Sequence, residues 1–414
     1  MPPITVSIDS IAAGGDGVGR TNGLVVFVPR TAPGDIVTTE ISGKGHFARG
    51  ALRDLVMPSP ERIKPPCPHY TRDKCGGCQL QHLAYDAQLE AKRGIIRDSL
   101  QRIGKRQADL PPIERSPKDW RYRTKLTLAM RRRGARWIAG LHPYDDPTQI
   151  FALADCPITD RRVVAAWREI MEADAYFPDA KELRGSVRIT GGGLTLVLMG
   201  GNSWGAREQF LAATPSLAAV WWEPADDQPR RVLIDKREER SPSASFAQIN
   251  SEMAEVLSKY VIGRVLSYEP RVVVDAYAGT GHTAVALSEG GVNVSAIELD
   301  ADASEWSAAH LRPPSRSIRA RVEDALPGLL PADVVLLNPP RAGVDARVTT
   351  TLEKEVGHLR GIIYVSCNPA TLARDVARLP SYRIRSVHAF DMFPQTAHVE
   401  TVCELVPAEE HQPA

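Results

Sequence analysis

The sequence predicts a multidomain α/β protein: a small N-terminal β-barrel, a central β-rich domain with a cysteine cluster, and a C-terminal Rossmann-like α/β domain. Three observations predict it. At 414 residues the chain can bury two or three separate cores. Short glycine-punctuated strands near the start give way, after Ser245, to apolar runs that alternate with helical segments. Between them, three of the six cysteines crowd into Cys67 to Cys78, a pattern that points to metal rather than to a secreted disulfide framework.

Residues 1–60 carry the barrel. Thr5-Val6-Ser7-Ile8 alternates polar and apolar, Leu24-Val25-Val26-Phe27-Val28 is an apolar run, and Gly14, Gly15, Gly17 and Gly19 read as turn residues. Pro58, Pro60, Pro65, Pro66 and Pro68 then interrupt regular structure and mark the linker. Residues 61–240 form the central domain. Leu89, Ile95, Ile96, Leu100 and Ile103 fall at helical spacing, so one long helix is expected over Leu83 to Ile103, stopped by Gly104. The runs Leu126 to Met130, Leu194 to Met199 and Val220 to Trp222 predict strands, with one helix near Arg161 to Ala173.

Residues 241–414 read as a parallel sheet. Its expected strands are Val272 to Asp275, Asn293 to Asp300, Asp333 to Asn338 and Gly361 to Ser366, followed by closing strands near Ile384 to Phe390 and Thr401 to Val406. In such sheets ligands sit at the carboxyl ends of the strands.

Charge narrows the partners. Lys+Arg 51 against Asp+Glu 50 leaves a net charge of +1, so nucleic-acid binding must come from local clusters. Trp120-Arg121-Tyr122-Arg123-Thr124-Lys125 and the stretch Arg131 to Trp137 interleave cations with aromatics, a composition able to bind phosphates and stack bases. Arg20, Arg30 and Arg49 are candidate phosphate contacts on the barrel. No basic segment with an apolar run opens the chain and no run reaches a membrane span, so a soluble, cytoplasmic protein is expected; a monomer is a separate expectation.

A cofactor loop follows the first strand of the last domain. Val272-Val273-Val274-Asp275 runs into Ala276-Tyr277-Ala278-Gly279-Thr280-Gly281, and a helix starts at His282. Gly279-x-Gly281-x-x-Ala284 also satisfies much of a dinucleotide-binding fingerprint. The neighbours favour an adenosine-containing cofactor: Glu298 closes the next strand, where a carboxylate accepts hydrogen bonds from ribose hydroxyls. Asp324 falls where a third strand, Ile318 to Val322, ends, within reach of an adenine amino group.

Two further strand ends carry chemistry. Asn338-Pro339-Pro340-Arg341 ends the fourth strand and Ser366-Cys367-Asn368-Pro369 the fifth, so both face the crevice of the cofactor loop. A thiolate is nucleophilic enough to attack carbon. C5 of a uracil becomes nucleophilic once a cysteine has added at C6, and it can then take a methyl group from a sulfonium. The C5 proton must next be removed, which needs a base held at the same ring. Glu400, just before the last strand, is that candidate.

On these residues the chain resembles the RNA 5-methyluridine methyltransferase family, in particular its 23S ribosomal RNA branch with a TRAM domain and an iron–sulfur cluster. The resemblance spans nearly the whole length. It rests on Asp275-x-Tyr277-x-Gly279-x-Gly281, Pro339-Pro340-Arg341-Ala342-Gly343, Ser366-Cys367-Asn368-Pro369 and the stretch ending His398-Val399-Glu400. It implies a TRAM-like, OB-like barrel, a class I methyltransferase domain, Cys367 as nucleophile and Glu400 as base. Ser245-Phe246-Ala247-Gln248-Ile249-Asn250 is similar to the family's Phe-x-Gln-x-Asn segment. The implied S-adenosylmethionine pocket is Gln248, Tyr277, Gly279, Gly281, His282, Glu298, Asp324 and Asn338. Two positions depart from the pattern: Asn338 stands where relatives more often have Asp to accept the uracil N3–H, and His282 where they tend to have Asn.

Cys67-x7-Cys75-Gly76-Gly77-Cys78 needs a fourth ligand, and Cys156 is the candidate. Four thiolates suit either zinc or a cubane cluster. The resemblance implies [4Fe-4S], held to pin the linker, the central domain and part of the RNA site together. RNA is the expected partner, rRNA ahead of tRNA. The rival of another class, an NAD-dependent oxidoreductase, leaves Cys367, Glu400 and the cysteine cluster without a role. A third reading, an inactive RNA-binding protein, is opposed by the intact Cys367 and Glu400.

Overall fold

The computed structural model describes residues 3–42, 47–134, 136–191, 193–225, 228–237 and 248–408. Phe246 of the family-like segment therefore lies outside the described residues.

Five strands, β1 (Ile4–Ile11), β2 (Gly17–Thr21), β3 (Leu24–Val28), β4 (Ile36–Ser42) and β5 (Phe47–Met57), close a barrel in the order β1-β2-β3-β5-β4. Alternation points Val6, Ile8, Val26, Val28 and Val37 into its core. Gly17 and Gly19, expected at turns, lie inside β2: a Cβ on Gly19 would stand 2.2 Å from the Ser7 carbonyl oxygen, so only glycine fits against β1 there.

The second sheet holds β6 (Lys125–Arg133), β7 (Arg136–Leu141), β8 (Phe151–Ala152), β9 (Glu182–Thr190), β10 (Gly193–Met199), β11 (Leu217–Glu223) and β12 (Arg231–Asp235), in the order β12-β11-β10-β9-β6-β7-β8. The helix Arg161–Glu172, capped by Asp160, buries Val163, Trp167 and Ile170 against it. Trp137 joins that core and Tyr122 is buried beside Cys67 and Cys78, with Trp120 packed on the same cluster. The expected base-stacking surface is thus corrected for Tyr122 and Trp137, whose rings face inward, while Trp120 stays partly exposed.

The third sheet holds β13 (Val272–Ala276), β14 (Asn293–Glu298), β15 (Arg316–Arg319), β16 (Val334–Leu337), β17 (Gly361–Ser366), β18 (Tyr382–Phe390) and β19 (Glu400–Pro407), in the order β15-β14-β13-β16-β17-β19-β18. Strand β13 is parallel to β14 and β16, while β19 runs antiparallel to β17 and β18. The order reverses between β13 and β16, which opens the ligand crevice at their carboxyl ends. All residues of β16 and β17 are buried, as expected for strands covered on both faces.

The helix Tyr85–Arg102, expected in the central domain, lays Leu89, Ile96 and Leu100 into the core of this third sheet. Lys92 and Gln88 lie on the same buried face, and their partners are in the loop between β18 and β19.

Candidate active site

The cofactor loop is shaped by backbone conformation. Tyr277, Gly279 and Gly281 have φ of +63°, +57° and +76°, so the chain doubles back between β13 and the helix His282–Glu289. At Gly281 a Cβ would meet Ser307 Oγ at 2.2 Å, whereas at Gly279 nothing lies within 4 Å. The first glycine therefore keeps a face of the loop open and the second lets it pack on the neighbouring helix. Asp275 is buried beneath the loop and accepts the Ala284 N–H; burial, aided by Glu298, pushes its carboxyl up to about 7.

Glu298 ends β14 as expected. Its Oε2 accepts the Gly279 N–H at 2.9 Å, and its Oε1 accepts those of Leu299 and Asp300 at 2.7 and 2.8 Å. These bonds fix the carboxylate at the crevice rim. Asp324 departs from expectation: β15 stops at Arg319, and Asp324 sits on a one-turn helix, Val322–Ala325, where it is exposed and pairs with Arg347 at 2.8 Å. The reason is local, since Val322 turns in to join the core and ends the extended run. His282 opens its helix on the exposed side, and Gln248 is half-buried. Asn250, two residues on, caps the helix Ser251–Leu266 and donates to Ser116 Oγ and the Met392 carbonyl.

The reactive pair sits at the other side of the crevice. Cys367 follows β17, and Asn368 behind it caps the helix Pro369–Ala377. Glu400 is the first residue of β19 and is buried; burial pushes its carboxyl up to about 8, and Arg341 partly offsets this. The Cys367 thiol is raised, first by burial and then by Glu400, while Arg341 hydrogen-bonds it and opposes the rise. Arg341 Nη2 donates to His398 Nε2 at 3.3 Å. His398 is held down to about 4, by burial and by the charges of Arg341, Lys92 and Arg123, so it is a neutral acceptor near pH 7. Asn338 is exposed in the crevice, with its N–H bonded to the Ala276 carbonyl.

Sequence reasoning missed the supports of this pair. Lys92 and Asp391 form a fully buried ion pair at 2.5 Å, and Gln88 exchanges hydrogen bonds with Gln395. The signal was present: a lysine and a glutamine on the apolar face of a helix need buried partners.

Cys67, Cys75, Cys78 and Cys156 line one cavity of about 90 Å³, walled also by Leu126, Leu141 and Ile158. Burial raises the Cys75 thiol to about 11 and also raises those of Cys78 and Cys156. As placed, no group of three or more His, Cys, Asp or Glu among the described residues can hold a single metal ion. The expected four-ligand centre is therefore present as four thiols around a cavity and not as a formed ion site. Arg30, expected at phosphate, is instead stacked on Tyr70 at 3.7 Å and Tyr144 at 4.5 Å and donates to the carbonyls of Tyr70 and Cys75. It ties the barrel to the cysteine loop. Arg20 stays exposed and lies 3.5 Å from Asp9.

The third sheet, parallel from β15 to β17 with a glycine-rich loop after β13, has the architecture of a nucleotide-cofactor domain, and it is joined to a small barrel. Residues 319–406 match the tRNA (uracil-5-)-methyltransferase family model, and residues 3–51 match the TRAM domain. An RNA methyltransferase of uncharacterised activity from Thermosynechococcus vestitus is 31% identical, covering 97% of each chain. One from Gloeobacter violaceus is 32% identical, over 97% of this chain and 96% of its own. The Pyrococcus abyssi tRNA (uracil-54, C5)-methyltransferase, solved with S-adenosyl-L-homocysteine, superposes with a TM-score of 0.71 at 25% identity, covering 97% of this chain and 100% of that one. The chain belongs to the RNA uracil-5-methyltransferase family. Among the described residues no helix is long and apolar enough to cross a membrane.

Proposed function

We propose that this protein methylates C5 of a uridine in RNA, with Cys367 as nucleophile and Glu400 as base. The observation that carries this reading is the placement of a thiol and a buried, high-pKa carboxyl side by side at one strand end, opposite a glycine loop. S-Adenosylmethionine would supply the electrophilic methyl group; Tyr277, Gly279, Gly281 and Glu298 fit it, since the loop leaves its face open and fixes a carboxylate at its rim. Gln248, His282, Asp324 and Asn338 complete the proposed pocket, Asp324 after release from Arg347.

Cys367 adds to C6, which makes C5 nucleophilic, and Arg341 favours the thiolate by its charge and hydrogen bond. Glu400, in a site that resists ionisation, takes up the C5 proton after transfer, and the thiolate then leaves C6. Asn338 would present its amide to the base edge. The expected place of action is the cytoplasm.

Ribosomal RNA is the preferred substrate on the resemblance that combines the barrel with the cysteine set. A second reading, transfer RNA, is favoured by the full-length likeness to an enzyme for uracil-54 of tRNA. The cysteine cavity is the proposed seat of a [4Fe-4S] cluster held by Cys67, Cys75, Cys78 and Cys156. Soft sulfur donors around a cavity, rather than around one ion position, suit a cluster better than zinc. Its part would be structural.

The test is covalent trapping. With S-adenosylmethionine and 5-fluorouridine-substituted RNA the enzyme should stall as a denaturation-resistant adduct, because fluorine at C5 cannot be abstracted. An adduct with rRNA but not tRNA supports the first substrate, the reverse the second, and none with either defeats the reading.

A further inference from the structure

The loop from Asp391 to Val399, which delivers His398 and Glu400 to the crevice, is suspended from elements outside its own sheet. Gln395 is its fulcrum, at φ +70° and 2% exposed. Its carbonyl accepts the N–H groups of both Gln79 and Leu80, at 3.1 and 3.0 Å. Its N–H donates to Gln88 Oε1 at 3.0 Å, and its side-chain Oε1 accepts from Gln88 Nε2 at 3.0 Å. Gln88 Nε2 also donates to the Leu83 carbonyl, so both ends of its amide are committed.

The residues around the fulcrum are held in the same way. Tyr122 Oη donates to the Pro394 carbonyl at 2.9 Å, and Lys92 Nζ to the Phe393 carbonyl at 3.1 Å while pairing with Asp391. Gln79 follows Cys78 directly in the chain, and Tyr122 packs on Cys67 and Cys78. The loop therefore hangs from the wall of the cysteine cavity and from one face of the helix Tyr85–Arg102. The buried amides of Gln88 and Gln395, each hydrogen-bonded at both ends, hold a unique geometry, because each alternative position leaves a donor or acceptor unsatisfied.

We infer that Gln88 and Gln395 form a positioning clasp that sets Glu400 against the base, so that the release step depends on an amide pair outside the crevice. This rests on the function proposed above. At that step the C5–H bond breaks and its proton passes to the Glu400 carboxylate. The C5–C6 double bond re-forms from that electron pair, and the C6–S bond breaks with its pair returning to Cys367 as thiolate. Cys367 itself is held by β17 and the Asn368 cap, outside the clasp. Loosening the clasp should thus slow release more than addition.

The test uses the full-length protein with unmodified uridine RNA and S-adenosylmethionine. Gln88→Met removes the amide at nearly constant volume. Gln395→Gly removes the side chain while keeping a residue suited to positive φ, and it serves if the first variant does not fold. Expected are a fall in kcat of at least about tenfold with KM for RNA falling alongside it, as slower breakdown of a covalent intermediate requires, a thermal midpoint that is lowered but stays above the assay temperature, and a covalent protein–RNA adduct that accumulates in the variants and resolves slowly. Gln88→Glu, which can accept from the Gln395 N–H but not donate when ionised, should fall between. Folded variants with wild-type kcat, or a fall in kcat with no adduct, overturn the clasp. Wild-type protein that forms no adduct even on 5-fluorouridine RNA overturns the underlying function, and the clasp's catalytic role with it.

Discussion

Cys367 and Glu400 face each other across the end of an antiparallel ladder: Ser366 of β17 pairs with Thr401 of β19, so the next residues towards the crevice are the thiol and the carboxyl. Their mutual effect is visible in the thiol, which the neighbouring Glu400 raises further after burial has done so. Two groups that each disfavour the other's charge suit a reaction in which one acts first and the other later.

Cys367→Ala should abolish methyl transfer, by at least about 10³-fold, and remove the 5-fluorouridine adduct. Binding of S-adenosylmethionine, measured by calorimetry, should be unchanged, because Cys367 is not one of the residues of the proposed cofactor pocket. A variant that still methylates uridine rules out the covalent route.

Glu400 sets a pH dependence of known sign. Its carboxyl must be ionised to take a proton, so turnover should rise with pH and level off above about 8. Stability runs the other way. The folded state holds a proton that an unfolded Glu with an ordinary value of 4.5 has lost, so Glu400 destabilises the protein progressively between 4.5 and about 8. Glu400→Gln should be inactive yet more stable than wild type at pH 8, by an amount on the order of a few kcal/mol, with the gap closing at pH 4.5. Urea unfolding at several pH values measures it.

Gly281→Ala should weaken S-adenosylmethionine binding at least about tenfold, since the new methyl would collide with Ser307 and the residue would hold a left-handed conformation. Glu298→Ala should do the same by releasing three backbone N–H groups of the rim. Equal affinities for wild type and both variants would move the cofactor elsewhere.

Lys92→Met should destabilise by about 3–5 kcal/mol, because it leaves Asp391 charged and buried without its cation. Adding Asp391→Asn should recover part of the loss. A single variant as stable as wild type would mean that water reaches Asp391.

The cysteine cavity predicts about four iron and four sulfide per chain in anaerobically purified protein, lost together in Cys78→Ser. One zinc per chain would replace the cluster by an ion.

The sequence by itself determined the strands of the third sheet, the glycine loop, the closing pair of strands and the residues at their ends. Continuous apolar runs and turn glycines are local signals, and a parallel sheet places its strand ends at one edge whatever the side chains are. Cys367, Glu400, Glu298 and Gly281 were legible for that reason. The end of the third strand is less legible: β15 stops at Arg319, and Asp324 lies beyond it in the short helix Val322–Ala325. Only the tertiary structure decided the partners: that Lys92 meets Asp391, that Gln88 meets Gln395, that Arg30 stacks on two tyrosines, and that Tyr122 turns inward. Periodicity records which face of an element is buried. It carries no record of what covers that face, because such pairings join segments far apart in the chain and are chosen by the packing of the whole.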